Sequence, residues 1–283
     1  MEDVKLMHNR EEFQINWQDM ELYNKTSLEH YHDGFEIAFF IHADIKIFLK
    51  DRQYDIKDGN LLFMGENEIH KIFYPINKRY SRYVISFRKE YISDVLLSLE
   101  NEDLLSEMIE QRDRKIGINH KNEQEVMSCI KDMLLPDSSH SNASMRKLAL
   151  ARLLLLMNKE YSKKIDLGGS QKSDILIKDV IRYINENFCE EISLRILEEK
   201  FHLTRYHLCR KFKNTTGFSI FEYLQQKKVM QAQQMLKTTN KNATEICFDC
   251  GFNNAQHFFR VFRKISGVTP CRYRQISLKG ENA

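Results

Sequence analysis

Leu208-Cys209-Arg210-Lys211-Phe212-Lys213, followed by Gly217-Phe218-Ser219 and Tyr223, returns fifty residues later as Phe258-Phe259-Arg260-Val261-Phe262-Arg263, Gly267-Val268-Thr269 and Tyr273. Upstream, Ile196 matches Ile246 and Thr204 matches Asn254 in the same register. An ungapped match over about ten positions marks two copies of one supersecondary unit.

In each copy the capping residues spell helix, tight turn, helix. Ser193 caps a helix to about Phe201, Thr204 caps the next, and Gly217 supplies the left-handed residue that ends it. In the second copy Asn242 and Glu245 form a capping box, Gly251 sits at the turn, and Asn254 opens a helix that stops at Gly267. The expectation is two helix-turn-helix units, at about residues 193–217 and 242–267. Residues 219–237 between them open on the capping box of Ser219 and Glu222 and lack Gly and Pro. At about 1.5 Å per residue this helix spans roughly 28 Å, close to the ~34 Å of one DNA turn. It can hold two reading heads over successive major grooves.

The faces of each second helix separate. Leu208, Phe212, Phe258 and Phe262 point inward, while Tyr206, Cys209, Arg210, Lys213, Ala255, Gln256, Phe259, Arg260 and Arg263 point out. Arg donates twice to guanine and Gln pairs with adenine, so Arg210, Arg260 and Gln256 lead the candidates for base readout. Tyr206 and Phe259 suit thymine methyls or packing. Lys213, Arg263, Lys264 and Arg274 are the candidates for phosphate contacts.

Charge agrees with this division. Residues 173–283 hold 18 Lys/Arg against 11 Asp/Glu, and residues 1–172 hold 25 against 29, giving +7 and −4. A polyanion such as double-stranded DNA is the expected partner of one half only.

Residues 35–87 read differently, as short apolar or alternating runs punctuated by Asp33-Gly34 and Asp58-Gly59, the pattern of a small β-barrel or sandwich. After residue 88 the period changes to three and four, with helices over about 123–135 and 143–161. The stripe of Leu148, Ala151, Leu154 and Leu155 is core, with a homodimer contact as a further use. Gly168-Gly169-Ser170 marks a linker. The expected organisation is α+β with two domains: a β domain at 1–88, a helical connector at 89–165, a linker at 166–173 and a DNA-binding domain at 174–283.

Hydrophobic content of 42% excludes a disordered chain, and no apolar run reaches membrane-spanning length. The N-terminus lacks an export signal, so the expected location is cytoplasmic and the six cysteines are expected as free thiols. Cys247 and Cys250 form a CxxC without a second pair, which favours a buried helical face over zinc. No phosphate-binding glycine loop, HExxH or GxSxG occurs. No catalytic residue, metal or cofactor is expected.

The segments at 208–213 and 250–263, with the closing Gly267-Val268-Thr269-Pro270-Cys271-Arg272-Tyr273-Arg274, resemble the DNA-binding domain of the AraC/XylS family of bacterial transcription regulators. By that resemblance Tyr206, Cys209 and Arg210, and then Ala255, Gln256, Phe259 and Arg260, occupy positions that approach base edges. It also implies activation through RNA polymerase more often than repression. His30-x-His32-x3-Glu36 and Gly59-x5-Gly65-x-Asn67-x2-His70 are similar to the two motifs of the cupin-like effector domain of many such regulators. In metal cupins those histidines and the glutamate hold one ion. Here Gly65, Asn67 and Tyr74 depart from the motif, which weakens an enzymatic reading. Three roles stay open for His30, His32, Glu36 and His70: walls of a small-molecule effector pocket, structural polar residues, or metal ligands. A metal-dependent cupin enzyme is one rival function and leaves the tandem reading units without a purpose. The other, a DNA-binding protein without effector control, leaves the β domain without one.

Overall fold

The computed structural model describes residues 12–21, 29–30, 34–73, 79–111, 113–136, 139–166 and 175–280. His32 and residues 167–173 of the expected linker lie outside them. Of His30, the backbone alone is described.

The N-terminal half is built on strands β1 (Phe13–Glu21), β2 (Glu29–His30), β3 (Phe35–His42), β4 (Asp44–Leu49), β5 (Arg52–Lys57), β6 (Asn60–Met64), β7 (His70–Phe73) and β8 (Arg79–Phe87). Helices α1 (Lys89–Ser98) and α2 (Leu104–Glu110), strand β9 (Lys115–Gly117), and helices α3 (His120–Met133) and α4 (His140–Asp166) complete it. The strands form two antiparallel sheets, in the orders β1-β8-β3-β6-β9 and β2-β7-β4-β5.

Period-two alternation explains how the sheets sandwich their core. On β3 the even positions Ala38 and Phe40 join Ile45, Ile47, Tyr54, Leu62, Ile72 and Tyr80 between the sheets. The odd positions Phe35, Ile37 and Phe39 pack outward on α1 to α4. Buried on both faces, β3 is apolar almost throughout, which is why it reads as a continuous run. The connector is not purely helical as expected: β9 returns after two helices to pair with β6, Leu61 opposite Ile116. The Tyr161 hydroxyl on α4 donates to the Arg114 carbonyl at 2.7 Å, pinning the last helix to that strand.

The C-terminal half is helical: α5 (Ile175–Asn187), α6 (Leu194–Phe201), α7 (Arg205–Thr216), α8 (Ile220–Thr238), α9 (Ala243–Asp249), α10 (Ala255–Ser266) and α11 (Pro270–Gly280). Two cores share α8. Ile220, Tyr223, Leu224 and Met230 join Leu208, Phe212 and the apolar face of α5, whereas Val229, Ala232 and Leu236 join Ile246, Phe258, Phe262 and Tyr273. The sequence repeat is a packing repeat. Tyr223 meets Phe212 at 5.7 Å and 77°, and Tyr273 meets Phe262 at 5.7 Å and 88°.

Candidate nucleic-acid interface and effector pocket

Each reading helix begins and ends as its residues dictate. The Thr204 hydroxyl accepts from the His207 amide, Asn254 Oδ1 accepts from the His257 amide at 2.9 Å, and Gly217 and Gly267 end the helices at φ 79° and 69°. Glu198 of α6 accepts from the Arg205 amide at 2.6 Å and pairs with its guanidinium at 3.3 Å, closing the first turn. The second turn closes around Gly251, at φ 75°. A Cβ there would lie 2.1 Å from the Cys189 carbonyl oxygen, so the second unit abuts the connection between α5 and α6, just ahead of the first unit, through a position open to glycine alone.

On α7 the exposed face carries Tyr206, Arg210 and Lys213 over buried Leu208 and Phe212. Tyr206 is 71% exposed, with the Arg210 guanidinium 5.6 Å from its ring. On α10 Gln256, Phe259, Arg260, Arg263 and Lys264 are exposed over buried Phe258 and Phe262. Cys209 and Ala255 are half-buried and pack against the two cores.

Arg274, expected among the phosphate contacts, also makes contacts within the protein. Its guanidinium donates to the carbonyls of Leu236 at 3.0 Å, Thr239 at 3.1 Å and Lys241 at 2.6 Å. It satisfies acceptors at the end of α8 and in the loop that follows. Sequence reasoning also passed over Lys228, which donates to the Gly251 carbonyl and lies 5.5 Å from the Phe252 ring. Burial holds its ammonium below the usual lysine range. Gln233 donates to the Ser266 hydroxyl at 2.7 Å in the same buried seam. These contacts set the second unit rigidly on α8.

In the barrel Glu36 is 3% exposed and faces inward with Ala38 and Phe40. Arg82 of β8, 4% exposed, reaches to 3.9 Å from its carboxylate and donates from Nε to Gln18 Oε1 at 3.0 Å. The guanidinium lies 5.8 Å from the Tyr80 ring. His70 is buried on the opposite sheet, on the same face of β7 as Ile72, with Nδ1 at 3.0 Å from the Glu68 carbonyl. Strand register sets His30 opposite His70. Glu36 and His70 thus occupy the inner faces of opposing sheets. Arg82 and Gln18 are additions that sequence reasoning missed. The phase of Tyr80, Arg82 and Val84, alternating with Tyr83 and Ile85, was the available signal.

A groove of about 280 Å³ on the outer side of the connector is lined by Leu99, Leu148, Leu155 and Leu156, with Arg152 and Lys159 beside them. Leu148, placed by its periodicity in the core stripe, is 53% exposed, while Ala151 and Leu154 are buried. No described helix is long and apolar enough to cross a membrane.

Comparison with known proteins gives two family matches, an AraC-like ligand binding domain over residues 5–143 and a helix-turn-helix domain over residues 197–276. The transcriptional activator RhaS of Enterobacter sp. (strain 638) is 25% identical over 250 residues, 87% of each chain. AdaA of Bacillus subtilis, a bifunctional transcriptional activator and DNA repair enzyme, is 39% identical over 98 residues, 35% of this chain and 46% of its own. Among solved structures ToxT from Vibrio cholerae aligns over 94% of this chain and 99% of its own, at 12% identity and a TM-score of 0.42. With a ligand-binding domain ahead of tandem reading helices, the chain belongs to the AraC/XylS family of helix-turn-helix transcription regulators.

Proposed function

We propose that this regulator reads DNA with Tyr206, Arg210, Gln256, Phe259 and Arg260, and anchors on phosphates through Lys213, Arg263 and Lys264. Cys209 and Ala255 flank the readers and shape the approach of the helices. The observation that carries the reading is the pair of capped helices on one rigid α8, each turning a polar and basic face to solvent over a buried aromatic base. The expected test is a salt titration of full-length protein on duplexes selected by the chain from a random library. Arg260→Ala costs about 1–3 kcal/mol and relaxes preference at one base, whereas Lys213→Ala weakens all sequences alike. Equal, sequence-independent losses from both would reduce Arg260 to a phosphate anchor.

The barrel takes a small polar effector. The charged pair of Glu36 and Arg82, with Gln18 beside it and His70 facing them, is the only charged pair among the described residues set between the two sheets with both side chains buried. His30 and His32 belong to the same proposed pocket by their motif spacing. The protein acts in the cytoplasm as a homodimer without enzymatic activity, and activates transcription by contacting RNA polymerase. The activator names of its relatives and the exposed leucine groove on α4 support this. Leu148→Glu should yield monomers in sedimentation; an unchanged dimer would move the contact elsewhere.

A further inference from the structure

We propose that the outer face of β4 and β7 is a docking surface for the first helix-turn-helix unit, with Lys71 as a latch that makes the first reading helix follow the barrel. The regulatory use of the latch rests on the effector reading above; the mechanical coupling does not.

Phase is the first sign. On β4 the even positions Asp44 and Lys46 point outward and are exposed, yet Phe48 on that face is fully buried. Its register partner is Lys71, and Phe73 stands opposite Lys46. What covers this patch is the end of the first reading helix. Phe48 meets Phe218 edge-on at 6.3 Å. Lys71 Nζ donates to the Gly217 carbonyl at 2.6 Å and lies 4.8 Å from the Phe218 ring. The ammonium thereby sits at the negative end of the α7 dipole. Phe48 and Ile69 belong to the core of the first unit, and Lys178 at the rim lies 3.7 Å from Asp51.

A side chain at Gly217 would have to displace the Lys71 stem and the Phe73 ring, at a backbone φ of 79° that already favours glycine. A Cβ there would lie 2.6 Å from Lys71 Cδ and 2.7 Å from Phe73 Cζ. Gly217 therefore serves twice, as a left-handed helix stop and as the floor of the contact. An aliphatic residue at 71 would pack as well as the lysine stem, but only the ammonium gives the contact a direction.

Two consecutive residues of one short strand then face two functions. His70 points between the sheets with Ile72, while Lys71 points to α7. The contact engages the C-terminal end of α7 and leaves Tyr206, Arg210 and Lys213 exposed. The latch thus positions the reading helix without covering its DNA face. Any rearrangement around the Glu36 and His70 faces that shifts β7 shifts the end of α7 with it. By reciprocity, holding α7 on DNA must restrain β7.

Reciprocity supplies a test without a known effector. Hydrogen exchange is followed in the full-length protein with and without a duplex that the chain itself selects from a random library. In the wild type, DNA should slow exchange over residues 69–73 as well as over α7. Lys71→Met should abolish the strand response and, without DNA, speed exchange at residues 216–219 about tenfold, the effect of losing one charge-assisted hydrogen bond. DNA protection of α7 should survive. A wild-type strand that ignores DNA, or a strand response that persists in Lys71→Met, overturns the proposal. Should Lys71→Met loosen residues 61–64 as well, Lys178→Met decides from the other side. Its expected result is a weakened strand response, and an unchanged one refutes the latch. A barrel that never binds small molecules would leave this DNA-driven signal intact, so failure of the effector reading is separable.

Discussion

Arg274→Ala distinguishes a structural arginine from a phosphate anchor. The side chain makes three hydrogen bonds to the carbonyls of Leu236, Thr239 and Lys241, at 2.6 to 3.1 Å. Hydrogen bonds from charged groups contribute about 1.5–3 kcal/mol each when buried. Arg274 is half-buried, and water can replace it at the Lys241 carbonyl, so about 1 kcal/mol per bond is the appropriate discount. The expected loss is about 2–4 kcal/mol in denaturant unfolding, with little change in the slope of log affinity against log salt. A phosphate anchor behaves in the opposite way, lowering that slope by about 0.9 per contact while leaving stability within ~0.5 kcal/mol. Arg263→Ala, on the exposed last turn of α10, is the control expected to show that second pattern. If Arg274→Ala cuts the salt slope and costs less than about 1 kcal/mol of stability, the capping assignment is wrong.

Gly251→Ala combines a left-handed strain of about 1–2 kcal/mol with a forced separation from the Cys189 carbonyl, so a total near 3 kcal/mol is expected in thermal unfolding; a loss below 1 kcal/mol would mean that the second unit does not abut the α5–α6 connection. Glu36→Gln leaves the Arg82 guanidinium buried beside a neutral partner and should destabilise the barrel by about 3 kcal/mol, measured by urea unfolding; near-neutrality would place the pair in water. Burial pushes Cys250 up to about 12 and Cys129 up to about 11, and raises Cys247. Their thiols stay protonated at neutral pH and should resist alkylation until the chain unfolds, whereas exposed Cys271 reacts first by mass spectrometry.

The DNA-binding half was legible nearly residue by residue, because its signals are local. Ser193, Thr204, Ser219, Asn242 and Asn254 all cap the helices they open, and Glu222 and Glu245 close their boxes. Capping is decided within four residues, and so is the left-handed stop at Gly217 and Gly267. What sequence reasoning missed is non-local. Arg274 reaches back to a helix end some thirty-five residues earlier, and its basic character alone suggested phosphate. Strand β9 escaped notice because it has three residues; β1 carried a legible alternation, Phe13, Ile15 and Trp17 against Gln14, Asn16 and Gln18, that breaks only at Asp19-Met20-Glu21 and was passed over. In the barrel, Glu36 was found through its motif, but the partner that gives it meaning, Arg82, is set by strand pairing across forty-six positions.

Strand β9 also dictates where this protein can be cut and rejoined. A fragment ending near residue 88 would take the sheet but leave behind the strand that covers β6, exposing Leu61 and its neighbours along an unpaired hydrogen-bonding edge, a template for aggregation. It would also strip the outer face of that sheet of α1 to α4, to which Phe35, Ile37 and Phe63 owe their burial. The unit that can be transplanted onto another reading domain, as a modular sensor, therefore runs through β9 and on to the end of α4. A chimera designed on that principle must still provide, on its new partner, a glycine-floored surface for Lys71.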